Sequence, residues 1–191
     1  IVRAIVKAIC NTNDRLHVRY PQLRVNLSRE VAFITTQELE YMYPDLTADE
    51  RENAFVKENK TACIMQIGGK LRSGKPHSGR APDYDDWKLN GDIMVYYPTL
   101  DIALELSSMG IRVDETSLAE QLKKANCEDR AELPFQKAIL NRELPYTVGG
   151  GIGQSRICMF FLHKAHIAEV QASIWPDEVL QKAKENGIQF L

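Results

Sequence analysis

The sequence predicts an α+β fold, an antiparallel β-sheet flanked by helices. Two strand-like runs, Asp92 to Tyr97 and Asp101 to Leu106, are separated by Pro98-Thr99-Leu100, a turn whose length suits an antiparallel hairpin. Helical apolar patterns stand on either side, and strands do not alternate regularly with helices as in a parallel βαβ sheet. With 191 residues and 44% hydrophobic content, the chain is long enough for a single domain with a sizeable core. No internal repeat or low-complexity segment divides it.

The elements follow from local pattern. Ile1, Val2, Ile5, Val6 and Ile9 have helical spacing, so a helix is expected over residues 1–12, broken by the polar run Asn11-Thr12-Asn13-Asp14. Val31 to Thr35 reads as a short buried strand. Thr47 and Glu50 have capping-box spacing, which starts a helix near Ala48 that runs toward Asn59. Thr61 to Ile67 is apolar and β-rich, a central strand ending at Gly68-Gly69. Lys70 to Asn90 has loop chemistry, and a loop of that length inside a domain is expected to be functional. After the hairpin, Ser107-Ser108-Met109-Gly110 separates it from a short strand, Ile111-Arg112-Val113. Helices are expected over 115–126 and 129–142, the second opened by Asp129 and Glu132. A glycine run then leads into a helix from Gln154 to Lys164. Val170 to Ile174 reads as one more strand, and Pro176, at a first helical position, opens a terminal helix.

Charge narrows the function. There are 24 basic and 26 acidic residues, a formal charge of -2 and a pI near 6.1, so nucleic acid is not an expected partner. No apolar run approaches the roughly 20 residues needed to cross a membrane, and no charged-then-apolar leader precedes Ile1; a soluble, cytoplasmic protein is expected. Cys10, Cys63, Cys127 and Cys158 lack metal-ligand spacing and read as free thiols of a reducing compartment. Because the chain opens directly on an amphipathic pattern without an initiator methionine, residues 1–191 are expected to be one catalytic domain lacking an N-terminal portion.

Three clusters carry candidate chemistry. In Thr147 to Arg156, Gly149, Gly150, Gly151 and Gly153 let backbone N–H groups approach a ligand, the helix N-terminus favours negative charge, and Arg156 offers a planar fork for phosphate oxygens. A plain glycine turn has the same composition. Arg80-Ala81-Pro82-Asp83-Tyr84-Asp85-Asp86-Trp87 combines three carboxylates, an arginine and two aromatics, a set that can hold a small zwitterion or simply form an acidic surface turn. Asp92 and Glu105 are acids on strands, able to converge on one divalent cation or to serve as solvent-facing edge charges. Ser107, Ser108 and Arg112 lie just beyond, in reach of a ligand or as parts of a capped turn. His17, His77, His163 and His166 have no helpful partner spacing and read as surface or packing residues. A nucleophile elbow would need glycine where Ile157 stands, and no Walker A sequence is present.

The ordered motifs I-G-G-K-L (67–71), R-A-P-D-Y-D-D-W (80–87), L-N-G-D-I (89–93), E-L-S-S-M-G-I-R-V-D (105–114) and G-G-G-I-G-Q-S-R (149–156), with V-Q-A-S-I-W-P (170–176), resemble those of the ammonia-dependent aspartate–ammonia ligases, the AsnA-type asparagine synthetases. The resemblance covers essentially the whole chain. It implies the catalytic fold of class II aminoacyl-tRNA synthetases, of the aspartyl and asparaginyl types especially, in a homodimer. It also implies a reaction in which ATP adenylates the side-chain carboxylate of aspartate and ammonia displaces AMP to give asparagine. Mg²⁺ and arginine would offset the repulsion between the two anions. On this resemblance Arg156 contacts ATP phosphate, and Gly149, Gly150, Gly151 and Gly153 admit the adenosine. Glu105 and Asp92 are nucleotide- and metal-side acids. Arg80, Tyr84 and Asp85 hold aspartate, with Asp85 on its ammonium or on the incoming ammonia, and Ser108 lies between the two subsites. Arg156 and Asp85 are thus the expected catalytic pair.

Two departures from the family stand out. Its members extend further on the N-terminal side, where a second synthetase motif and much dimer contact lie, and they usually carry a longer loop at Trp87-Lys88. A tRNA synthetase catalytic domain on the same fold, or a non-catalytic aspartate- or nucleotide-binding paralogue, are the alternatives.

Overall fold

A computed structural model describes residues 1–191. Five strands, β1 (Ala32–Thr35), β2 (Thr61–Met65), β3 (Asp85–Tyr97), β4 (Ile102–Arg112) and β5 (Val148–Ile152), form one sheet in the order β1-β2-β3-β4-β5. The helices are α1 (Val2–Arg19), α2 (Thr36–Met42), α3 (Ala48–Asn59), α4 (Glu115–Lys124), α5 (Pro134–Leu140), α6 (Gln154–Phe161) and α7 (Asp177–Glu185). The expected α+β class holds, with antiparallel pairing throughout β2 to β5. At the edge, β1 joins β2 in parallel, because α2 and α3 return the chain to its starting end before β2 begins.

Alternation along β3 divides the sheet into two faces. Val95 and Tyr97 pack with Ile9, Phe160 and Phe161 under α1 and α6, and Ile93 packs with Val6 and Cys10 of α1. Met94 turns the other way, joining Ala62 and Ile64 beneath Leu39 of α2 and Phe55 and Val56 of α3.

Several expectations change where tertiary partners override local pattern. The first helix runs on to Arg19, because Asn13 turns inward and exchanges hydrogen bonds with the Val25 backbone at 3.1 and 3.4 Å. Thr35, the last residue of β1, is also the cap of α2, in a capping box with Glu38. Asp85 already belongs to β3, so the long loop is shorter than its composition suggests. Ser107 to Gly110 is not a turn: β3 on one side and β5 on the other hold it as continuous strand. The 129–142 helix is instead a 3₁₀ turn, Glu128–Glu132, followed by α5, which starts at Pro134 where a missing N–H costs nothing. Val170 to Ile174 forms no strand; the chain there leads to Trp175, which packs edge-on against His166 at 5.3 Å. Pro176 caps α7 rather than entering it.

Candidate active site

Asp92 on β3 and Ser108 on β4 are direct cross-strand partners. Glu105 is three residues from Ser108, and strict alternation would send it to the opposite face. A bulge reverses that parity. Ile93 pairs with Ser107 and Met94 with Glu105, so Leu106 has no partner, and Glu105 returns to the face of Asp92 and Ser108. Leu106 and Ser107 both turn inward and are buried.

Arg80 reaches this face from the β2–β3 loop. Its Nη2 donates to the Asp92 carboxylate and, at 3.1 Å, to Ser108 Oγ. The Arg80 Nε is buried and has no hydrogen-bond partner in the protein. Burial pushes the Asp92 carboxyl above the ordinary aspartate range; the Arg80 charge and a hydrogen bond from Ser108 pull it back, and the Glu105 charge pushes it up again. Burial outweighs the ion pair here.

Arg156 extends from the first turn of α6 to β4. Its Nη1 lies 3.1 Å from Glu105 Oε1 and 3.3 Å from the Glu105 carbonyl oxygen. The two side chains are 45% and 36% exposed, so this pair is open to a ligand. The glycine run beside it is strand β5, laddered to β4, rather than a free loop that cradles phosphate. Its glycines serve different ends. A Cβ on Gly149 would lie 2.2 Å from Arg112 Nη2, and one on Gly150 would lie 2.8 Å from Met109 Cβ, whereas the space at Gly151, paired with Ser108, is open. Gly153 is the N-cap of α6 and lies against Arg156.

Asp85 opens β3 opposite Arg112, and the two form an ion pair. Asp85 is only 3% exposed. Gly110 makes room for it, since a Cβ there would sit 2.7 Å from the Asp85 Cγ. The Arg112 guanidinium lies 3.8 Å over the Tyr84 ring. The three acids of the R-A-P-D-Y-D-D-W segment therefore diverge. Asp83 accepts from Gln136 at 2.8 Å, Asp85 takes Arg112, and Asp86 accepts from the Lys88 amide at 2.8 Å. Arg112 is the partner that composition under-weighted, because a cross-strand pair 27 positions apart leaves no local pattern. His77 is a packing residue: buried, with Nε2 at 2.8 Å from Glu52.

The structure thus brings together Arg80, Asp92, Ser108, Glu105 and Arg156, with Tyr84, Asp85 and Arg112 farther along the same strands. A cleft of about 730 Å³ adjoins Arg80 and is lined by Gly68, Gly69, Trp87 and Gln121. A groove of about 650 Å³ lies among Met65, Leu89, Met109 and the β5 glycines, on the side away from Ser108. Asp92, Glu105 and Arg156 line neither; Arg156 and Glu105 form a partly exposed shelf on the sheet, and Asp92 is more deeply buried. No group of three or more His, Cys, Asp or Glu side chains converges as a metal cage.

Comparison with known proteins bears on the family and the fold. Residues 1–187 match the sequence profile of the family AsnA, aspartate-ammonia ligase. The chain is 60% identical over all 191 residues to an aspartate–ammonia ligase of Ruminiclostridium cellulolyticum, covering 57% of that protein. It is 59% identical to one of Fusobacterium nucleatum, covering 58% of it. The chain therefore spans somewhat over half the length of these relatives. Among solved structures, an aspartyl-tRNA synthetase from Entamoeba histolytica superposes with a TM-score of 0.60 at 19% identity, over 89% of this chain and 39% of that one. An asparaginyl-tRNA synthetase from Pyrococcus horikoshii gives 0.59 at 15% identity, over 90% and 45%. At such identities the likeness is one of fold, the class II synthetase-like catalytic fold. With its motifs, sheet and profile in agreement from end to end, the chain belongs to the aspartate-ammonia ligase (AsnA) family.

Proposed function

We propose that the full-length protein converts aspartate and ammonia to asparagine with ATP, through a β-aspartyl-adenylate, releasing AMP and pyrophosphate. The observation that carries this reading is the shared face of Arg80, Asp92, Ser108, Glu105 and Arg156 in a chain matching the family over residues 1–187. Arg156 meets the ATP phosphates, and the open space at Gly151 leaves room for the nucleotide above Ser108. The unpartnered Arg80 Nε is a donor waiting for a substrate carboxylate oxygen. Arg112 engages Oδ1 of Asp85, which leaves Oδ2 for the substrate ammonium or the incoming ammonia.

Two carboxylates on one face, without a third protein ligand, fit a Mg²⁺ that shares its coordination with phosphate oxygens. Asp92 and Glu105 would hold it, and when bound it would neutralise phosphate charge. A cation held there would offset the cost of burying the Asp92 carboxylate and the nearby Glu105 charge. On the same reading the protein works as a cytoplasmic homodimer and needs no nucleic acid.

The test is direct. Full-length protein given aspartate, ammonia and ATP without tRNA is expected to form asparagine and pyrophosphate in equal amounts. Absence of asparagine overturns the proposal, and charging of tRNA with aspartate or asparagine would replace it with a synthetase activity.

A further inference from the structure

Pro82 to Trp87 carries Tyr84 and Asp85, yet this stretch has little sheet of its own. β3 and β4 pair at Asp85 with Arg112 and next at Asn90 with Gly110, so the backbone between must be satisfied elsewhere. Gln121 of α4 supplies what the ladder lacks. Its Nε2 donates to the carbonyl oxygens of Pro82 at 2.9 Å and Asp85 at 3.1 Å, and its Oε1 accepts from the Trp87 amide at 2.7 Å. Both amide hydrogens are used, and the residue is 4% exposed, which leaves solvent little access to take its place. Trp87 closes the segment from another side. Its indole lies where a Cβ on Gly68 would be 2.5 Å away, and Nε1 donates to the Ala81 carbonyl oxygen at 3.3 Å. α4 is capped by Asp114, two residues after Arg112, so one corner delivers both the cation on the Asp85 carboxylate and the amide on its backbone.

We infer that Gln121 is a positioning residue for aspartate: it acts through the 82–87 backbone to place Asp85 and Tyr84 against Arg112. The inference rests on the reading of Asp85 as part of the aspartate subsite. Gln121 touches no reacting atom, so its loss should be felt in the binding of one substrate and not the other.

In the full-length protein, Gln121→Met keeps the length and removes all three hydrogen bonds, and is expected to raise the aspartate KM by about tenfold or more while the ATP KM changes by less than about twofold. Gln121→Glu keeps an acceptor for the Trp87 amide and removes both donors. It is expected to raise the aspartate KM as well, but to retain hydrogen-exchange protection at the Trp87 amide that Gln121→Met loses. If Gln121→Met does not fold, the Gln121→Glu comparison stands alone. Equal rises in both KM values, or no rise in either, overturn the inference, as does unchanged Trp87 protection in Gln121→Met. Should the native protein make no asparagine, the proposed activity falls by itself, and Trp87 exchange still decides whether Gln121 holds the segment.

Discussion

A carboxylate that composition places in an acidic loop becomes, at Asp85, a buried anion with a guanidinium against it. Removing one partner of such a pair is costly because the other is left uncompensated. Asp85→Asn is expected to lower stability by about 3 kcal/mol, the low end of the buried-pair range because the Arg112 side chain keeps partial solvent contact; urea denaturation measures it. Arg156 is the opposite case. It is half exposed and bonded to Glu105, so Arg156→Ala is expected to leave stability nearly unchanged. Its kcat/KM for ATP should fall by roughly 10- to 100-fold, the worth of charge-assisted hydrogen bonds to phosphate. Steady-state kinetics with ATP varied would show it, and unchanged kinetics would make the arginine structural. The acids Asp92 and Glu105 were legible as strand acids that could converge, but the presence of Ser108 on their face was not, because it depends on one unpaired residue, Leu106.

Helix starts follow rules short enough to read from sequence. The Thr47–Glu50 box forms as its spacing predicts, since all its partners lie within one turn. The equivalent Thr35–Glu38 box was hidden because its cap is also the end of β1. Asp114 has the same local logic and a larger consequence, since α4 carries Gln121. Backbone and hydroxyl donation from Ser117 holds the Asp114 carboxyl below its usual range. Asp114→Ala is expected to lose about 1 kcal/mol. A lowered folded pKa stabilises fully above the unfolded value, about 3.9, and that contribution disappears as pH falls through the folded value. The denaturation midpoints of native protein and variant should therefore converge in acid and separate toward neutrality. Midpoints that stay equally apart at all pH values would show that the cap acts through its shape and not its charge.

At the scale of the whole molecule, the hairpin and α6 are locked together. The Tyr97 hydroxyl lies 2.6 Å from the Lys164 carbonyl oxygen and 3.0 Å from that of Met159, which share its one proton, and its ring lies 5.7 Å from that of Phe160. This contact sets the helix that carries Arg156 over the strand that carries Glu105. Phe160→Ala is expected to cost about 3–5 kcal/mol and to loosen the shelf with it; calorimetry of the variant checks the first and ATP kinetics the second. The cysteines report the same packing. Burial pushes the Cys63 thiol up to about 11, whereas Cys158 is exposed. An aromatic disulfide reagent at about pH 8 should modify Cys158 in the native protein and reach Cys10 and Cys63 only on unfolding.

The sequence alone determined the α+β class, the central hairpin, the capped start of α3 and, through the motifs between Ile67 and Pro176, the family. These are local patterns or ordered strings, and neither needs a partner distant in the chain. Tertiary structure alone decided that the glycine run is a strand, that Ser107 to Gly110 is not a turn, and that Asp85 belongs to Arg112. It also decided that Ser108 shares the face of Asp92 and Glu105. The reason is that a β-sheet takes its register from strands far apart in sequence, and each residue's face depends on counting through every bulge; the bulge at Leu106 reverses that count, and no local composition marks it.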